Sequence, residues 1–429
     1  MITLFRQFFS NLFHIGAIQV TNMVLQFYLI ALVVERVGIG VNGLVLTSLS
    51  LSWLATIFIN YAGNQTIPLA FANPNASSTT PQLVADHLTI RFLFFILISL
   101  IILIVFNLQR TTYNPQPSFN YYLLGIIPIL FSELINPQAF YLSVDKMQFF
   151  NLANLFGRSA GVFYTWYALH TPADAPWVNA WVGMGLSAGF LVLWVHLLVS
   201  KTIRLSNISI SSAKTLFKEN MPLVGGNIVV QLQQSVFLYG LGLTAPSTLL
   251  GAYSIIDKIT SGVRNLLMAF TNAIFPLSIR TLQEDEAAWK GMRRQVNDFL
   301  FSSLMVAGLL IWFLSPIIAE WFSAGDTTTL VTIYIRWLAA IPFIIGINGM
   351  NVLELIMRKQ FHQQFRISTI MLSFSLLLSV AFLYIVYRTP ELDLLSCTGL
   401  CVSTLIPAYL LITESVNLYL YEKSSHHRS

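Results

Sequence analysis

Five ionisable residues stand in stretches that are otherwise apolar. Asp257, Lys258 and Arg264 share one stretch, Arg336 lies in a second and Glu133 in a third. Inside hydrocarbon each such group costs about 2.5–3.5 kcal/mol at a helix centre on an insertion scale, so a role is the default expectation. The chemistry open to them is anion binding, because guanidinium and ammonium groups are the usual partners of phosphate. Asp257 and Arg264 are seven apart and share a helix face, whereas Lys258 points about 100° away from Asp257. Lys258, Arg264 and Arg336 outnumber Asp257 and Glu133, which suits a wet, basic cavity. The alternative is that these charges pair internally and only hold helices together. Glu133 and Asp257 are the deepest acids, and so the candidates to couple a cation. Arg158 belongs either to the interior or to an interface, and Glu354 and Glu414 fall near the ends of their stretches.

Carboxamides form a second pattern. Gln19, Asn22 and Gln26 fall on one helix face, and so do Asn227, Gln231 and Gln234. A stripe of this kind facing lipid would leave its donors unpaired. It must face protein, as interhelical hydrogen bonds worth roughly 0.6 kcal/mol each, or line water. The two stripes are related by an offset that also aligns Gln26 with Gln234, Gly43 with Gly251, Asn64 with Asn272, Pro68 with Pro276 and Leu69 with Leu277. This suggests two parallel repeats.

The elements that must carry these residues are set by composition. Hydrophobic residues make up 55% of the 429 and charged residues only 10%, against about 25% charged in soluble domains. The mean hydropathy is +0.70. A window of about 20 residues, the length that crosses a bilayer, marks about twelve spans: 13–35, 41–67, 89–108, 120–142, 148–169, 178–200, 220–242, 247–277, 297–319, 328–355, 366–387 and 395–420. Most Lys and Arg then fall on one side if the N-terminus is cytoplasmic, with only Arg36, Arg110 and Arg388 in outer loops. That bias places both termini in the cytoplasm. The expected organisation is an all-α membrane protein with an N-terminal six-helix lobe over 1–200, a cytoplasmic linker over 201–219 and a C-terminal six-helix lobe over 220–429. Residues 73–87 are expected to form a flexible loop, and 281–297 a short amphipathic helix.

Several classes find no support. There is no nucleotide-binding glycine loop, no Gly-x-Ser-x-Gly elbow and no metal spacing among the histidines. Cys397 and Cys401 are one helical turn apart in an apolar stretch and frame no disulfide. No cofactor and no nucleic-acid partner is expected. An integral-membrane glycan polymerase or ligase would need a substantial outer loop, and every outer loop here is short.

The stretch 218–280 carries Lys218-Glu-Asn-Met-Pro-Leu-Val-Gly-Gly-Asn, then Leu250-Gly-Ala-Tyr-Ser-Ile-Ile-Asp-Lys-Ile, then Ala273-Ile-Phe-Pro-Leu-Ser. In this order the chain resembles the polysaccharide flippases of the multidrug/oligosaccharidyl-lipid/polysaccharide exporter superfamily, the O-antigen translocase type. The resemblance implies two six-helix lobes around a central cavity that opens to each side in turn. It implies a lipid-diphosphate-linked oligosaccharide moved from the inner to the outer leaflet of a bacterial cytoplasmic membrane. Membrane lipids, a polysaccharide polymerase and chain-length machinery would be the accompanying partners. Lys258 lies within the matching motif; Arg264 and Arg336 are carried by charge alone. A cation-coupled multidrug exporter is the alternative within the same superfamily.

Overall fold

The computed structural model describes residues 2–64, 66–67, 80–109, 119–143, 146–200, 209–245, 247–323, 326–358, 360–388 and 408–421. The side chains described begin at residue 20 and exclude scattered later positions, among them Asn272, Pro276 and Leu277. Gln19, Pro68, Leu69, both cysteines and the first half of the twelfth expected span therefore lie outside the described side chains. Among the described residues there is no strand. The helices are α1 (Ile2–Val37), α2 (Ile39–Asn60), α3 (Thr80–Gln109), α4 (Phe119–Gly125), α5 (Ile127–Leu134), α6 (Gln138–Ser143), α7 (Met147–Ala168), α8 (Val178–Val199), α9 (Ile210–Thr244), α10 (Ser247–Glu284), α11 (Glu286–Phe322), α12 (Asp326–Leu338), α13 (Ile341–Met357), α14 (Phe361–Arg388) and α15 (408–421).

Proline decides where two expected spans break. The fourth becomes α4, α5 and α6, with Pro128 in the first turn of α5 and Pro137 just before α6. The tenth becomes α12 and α13, with Pro342 in the first turn of α13. Proline lacks the N–H and fits only a helix's first turn without loss. Elsewhere helices run further than expected. α3 and α9 take up the ends of the intervals assigned to a loop and a linker, 80–87 and 210–219. The expected amphipathic helix over 281–297 is instead the junction of α10 and α11. It is interrupted only at Asp285, which caps α11 by accepting the Ala287 N–H.

Eight described segments are long and apolar enough to cross a membrane. α7, α9 and α10 have the length but are not among them. These helices carry Arg158, the Asn227–Gln231–Gln234 stripe and the Asp257–Lys258–Arg264 set. Their polarity is what sets them apart.

The chain divides into two compact units, residues 24–231 in one and residues 1–23 with 232–429 in the other. The first is centred on α7 against α8, which approach closely. A Cβ on Gly157 would lie 2.6 Å from the Gly185 carbonyl oxygen, so backbone meets backbone where any larger residue would clash. In the second, Leu267, Ile274, Trp289, Leu300, Met350 and Leu353 from α10, α11 and α13 form a buried apolar core.

Candidate functional site

On α10 the charges are paired, with Asp257 and Lys258 buried and Arg264 half-buried. Lys258 Nζ lies 3.4 Å from the Asp257 carboxylate, and the lysine is 1% exposed. Two turns further on, Arg264 forms an ion pair and hydrogen bond with Glu414 of α15. Tyr253, one turn before Asp257, is fully buried against Phe237 (5.2 Å between ring centres), which stacks at 4.1 Å on Tyr409 of α15. An adjoining face of α10 lines a small apolar cleft through Ile256, Ile259, Thr260 and Val263, with Ile335, Leu338 and Pro342 facing it. Charge and apolar cleft thus occupy different faces of one helix.

The other candidates are placed as follows. Arg336 is exposed, its Nε donating to Ser315 Oγ at 3.1 Å and its guanidinium 5.3 Å from the Trp312 ring centre. These described contacts tie Arg336 to α11. In the first stripe Asn22 is buried and Gln26 half-buried, while Val20, Val24 and Tyr28 are exposed. The carboxamides are turned inward and the apolar residues outward. Asn227, Gln231 and Gln234 are all half-buried. Arg158 stands midway along α7, half-buried, and shares a face with Asn151 and Asn154. This third polar stripe has the i, i+3, i+7 spacing of the first, and that spacing was the signal by which it could have been found.

Glu133 sits in a polar cluster that sequence reasoning missed. Its Oε1 accepts Asn60 Nδ2 at 2.6 Å and its Oε2 accepts Asn136 Nδ2 at 3.0 Å. The backbone carbonyl of Asn136 accepts Arg91 Nη1 at 2.7 Å. Arg91 is 0% exposed, and Glu133 is the opposite charge acting on it. Beside it His87, also fully buried, contacts the Thr66 hydroxyl through Nε2 at 3.1 Å. Arg91 is among the Lys and Arg residues that the charge bias assigns to the cytoplasmic side. The signal was Asp86, His87 and Arg91 within two turns of helix, with Asn60 and Asn64 one turn apart.

The second unit holds a related set. Arg293 of α11 is ion-paired with Glu354 of α13 and donates to Asn351 Oδ1 at 2.7 Å. Arg358 reaches Glu354 and Glu286, each at 2.9 Å. The Glu286 hydrogen bond, partly offset by burial, holds the Arg358 guanidinium above its ordinary range.

No family model matches the chain, and no curated protein matches it. Solved structures do. A multidrug resistance MATE family transporter of the MOP superfamily, in an inward-facing conformation, superposes with a TM-score of 0.72 at 10% identity, over 95% of this chain and 98% of that one. The fold is MATE-like. A point mutant of the Vibrio cholerae MATE transporter VcmN gives 0.67 at 13% identity over 100% and 98% of the two chains. A MOP superfamily transporter from Pyrococcus furiosus, described as having a binding pocket of reversed polarity, gives 0.66 at 11% over 96% and 95%. The MATE-like fold places this chain's polar stripes and ion pairs on the helices of a multi-pass membrane architecture.

Proposed function

We propose that this chain is a membrane transporter whose cargo is a lipid-diphosphate-linked oligosaccharide, moved from the inner to the outer leaflet of a bacterial cytoplasmic membrane by alternating access. The observation that carries the reading is that Lys258, fully buried, and Arg264, half-buried on the same helix, are each paired with a carboxylate. Buried charge is tolerated only when compensated. Asp257 and Glu414 supply that compensation in the absence of cargo. A diphosphate brings its own negative charges and takes over the two cations, releasing the carboxylates. The cargo then neutralises the two cations in place of the carboxylates, which gives it a differential hold on one state, and that is what drives a conformational shift. Arg336 is a further candidate cation for the anionic headgroup. The Gln19, Asn22, Gln26, Asn227, Gln231 and Gln234 carboxamides suit sugar hydroxyls. The superfamily resemblance of the Leu250–Ile259 motif supports the same cargo.

In cells dependent on this protein, Lys258→Ala and Arg264→Ala at wild-type abundance are expected to abolish surface glycan. Normal glycan display by both overturns the binding role. A second reading, a cation-coupled multidrug exporter, is supported by the paired charges, which leave little net positive charge on α10, and by the multidrug transporters of like fold. Raised drug sensitivity on deletion, with glycan intact, would favour it.

A further inference from the structure

Arg336 differs from Arg91, Arg264 and Arg293 in what it meets. Arg264 and Arg293 each meet a carboxylate, and Arg91 meets the Asn136 carbonyl. Arg336 meets a hydroxyl and a ring. The Ser315 hydroxyl donates to the Trp312 carbonyl at 2.7 Å, so its oxygen is left to accept Arg336 Nε. The Trp312 ring supports the guanidinium as a cation–π partner. These two contacts fix how the fork stands. Its two Nη groups carry four N–H donors, and they have no partner among the described residues.

The surroundings are those of a lipid-facing wall. α11 is the least buried of the eight membrane-length segments, with only 11% of its apolar window enclosed. Near Ser315 it exposes Phe313, Leu314 and Ile317, and α12 exposes Trp337 beside the arginine. Trp321 and Glu320, both exposed, mark the end of α11 that meets the interface. At 1.5 Å per residue, Ser315 lies roughly 10 Å inward of Phe322, and Trp312 roughly 15 Å. The Arg336 stem leans toward the start of α12, as helix side chains do. Its Nε is nevertheless held at Ser315, short of the interface.

A cation at that depth on such a wall needs an anion. The anion at hand is a lipid phosphate, whose oxygens suit the guanidinium fork. Glu320 is turned away, about 140° round α11 from Ser315. A headgroup carrying an ammonium would therefore leave that ammonium unpaired, whereas one whose only charge is its phosphodiester fits. From Trp312 inward, Leu309, Met305 and Phe301 continue one exposed face, over roughly 16 Å. That face is a track for one acyl chain.

We propose that Arg336 and Trp312, with Ser315 positioning the guanidinium, bind the phosphodiester of an anionic membrane phospholipid whose acyl chain lies along Leu309, Met305 and Phe301. The site goes beyond the transport reading and does not rest on it. A lipid-linked diphosphate shares the phosphate chemistry, so cargo that uses Arg336 must displace this lipid.

Photo-crosslinking tests it, on the full-length protein with a photoreactive residue at position 309, in nanodiscs of phosphatidylcholine with a minor share of phosphatidylglycerol. Captured phosphatidylglycerol should exceed its share of the bilayer about fivefold, the effect of one cation beside an anionic lipid. Arg336→Gln should return capture to the bilayer share. Arg366→Gln, which removes an exposed cation from α14, should leave the enrichment intact. Capture at the bilayer share in the parent protein, enrichment that survives Arg336→Gln, or enrichment lost in Arg366→Gln each overturns the proposal. Loss of enrichment on adding excess glycerol phosphate also overturns it, because the site then takes free phosphate. Should Arg336→Gln not fold, Trp312→Leu keeps the cation, removes the ring beneath it and must lower the enrichment. No lipid-linked glycan is present, so a negative result leaves the transport reading standing, and failure of that reading leaves this measurement unaffected.

Discussion

The two compact units each contain an arginine, a glutamate and an asparagine one turn from the glutamate, but they connect them differently. In one, Arg91 is fully buried and donates to the backbone carbonyl of Asn136, while Glu133 is satisfied by two carboxamides. In the other, Arg293 pairs directly with Glu354, its side chain 22% exposed, and Arg358 offers the same carboxylate a second partner. The difference teaches how burial changes what one residue set can do. Arg293 keeps some exposed surface, and its buried partner Glu354 is shared with Arg358. Arg91 is sealed and has no such reserve, and the half-buried Glu133 is the opposite charge acting on it.

The comparison can be broken most strongly at Glu133. Removing one partner of a sealed charge leaves the other uncompensated, so Glu133→Leu should destabilise the protein by about 3–5 kcal/mol. Adding Arg91→Leu in the same chain should recover most of that loss. Thermal unfolding in detergent, run on the single and double variants, reads both. Arg293→Leu should cost less, about 1–3 kcal/mol, because Glu354 keeps Arg358 at 2.9 Å. If it costs as much as Glu133→Leu, the difference in reserve between the two sites is wrong.

Gly63 sharpens the contrast at a single atom. A Cβ there would stand 2.8 Å from Arg91 Nη2 and 3.5 Å from His87 Nδ1. Arg91 has no exposed surface to retreat to, so Gly63→Ala should cost about 1–2 kcal/mol through overpacking, measured by the same unfolding experiment. The smallest effect belongs to Glu286, 59% exposed and bonded to Arg358. Glu286→Gln should change stability by less than about 0.5 kcal/mol, with the difference vanishing in high salt.

Much of the architecture was legible without coordinates, because hydropathy answers to a solvent of known thickness. Pro128, Pro137 and Pro342 were visible too, yet a window of span length averages across the breaks they cause. The carboxamide stripes were readable because helical spacing alone fixes a shared face; Asn22 and Gln26 do turn inward, opposite Val20, Val24 and Tyr28. Partners were not readable. Glu414 looked like a residue near a helix end, and only folding brings it to Arg264, 150 positions away. Arg91 looked like one more flanking cation, since charge-bias rules count residues by position along the chain and cannot see burial.

The sequence by itself determined that this chain is an all-helical membrane protein, that costly charges sit within its helices, and on which faces of α1, α9 and α10 its polar groups lie. These properties depend on spacing and transfer energies, which are local. Only the tertiary structure decided which charges neutralise one another, and that Glu133 binds Asn60 across 73 positions. Those depend on distances between segments far apart in the chain, and electrostatic and hydrogen-bond energies fall away within a few ångströms.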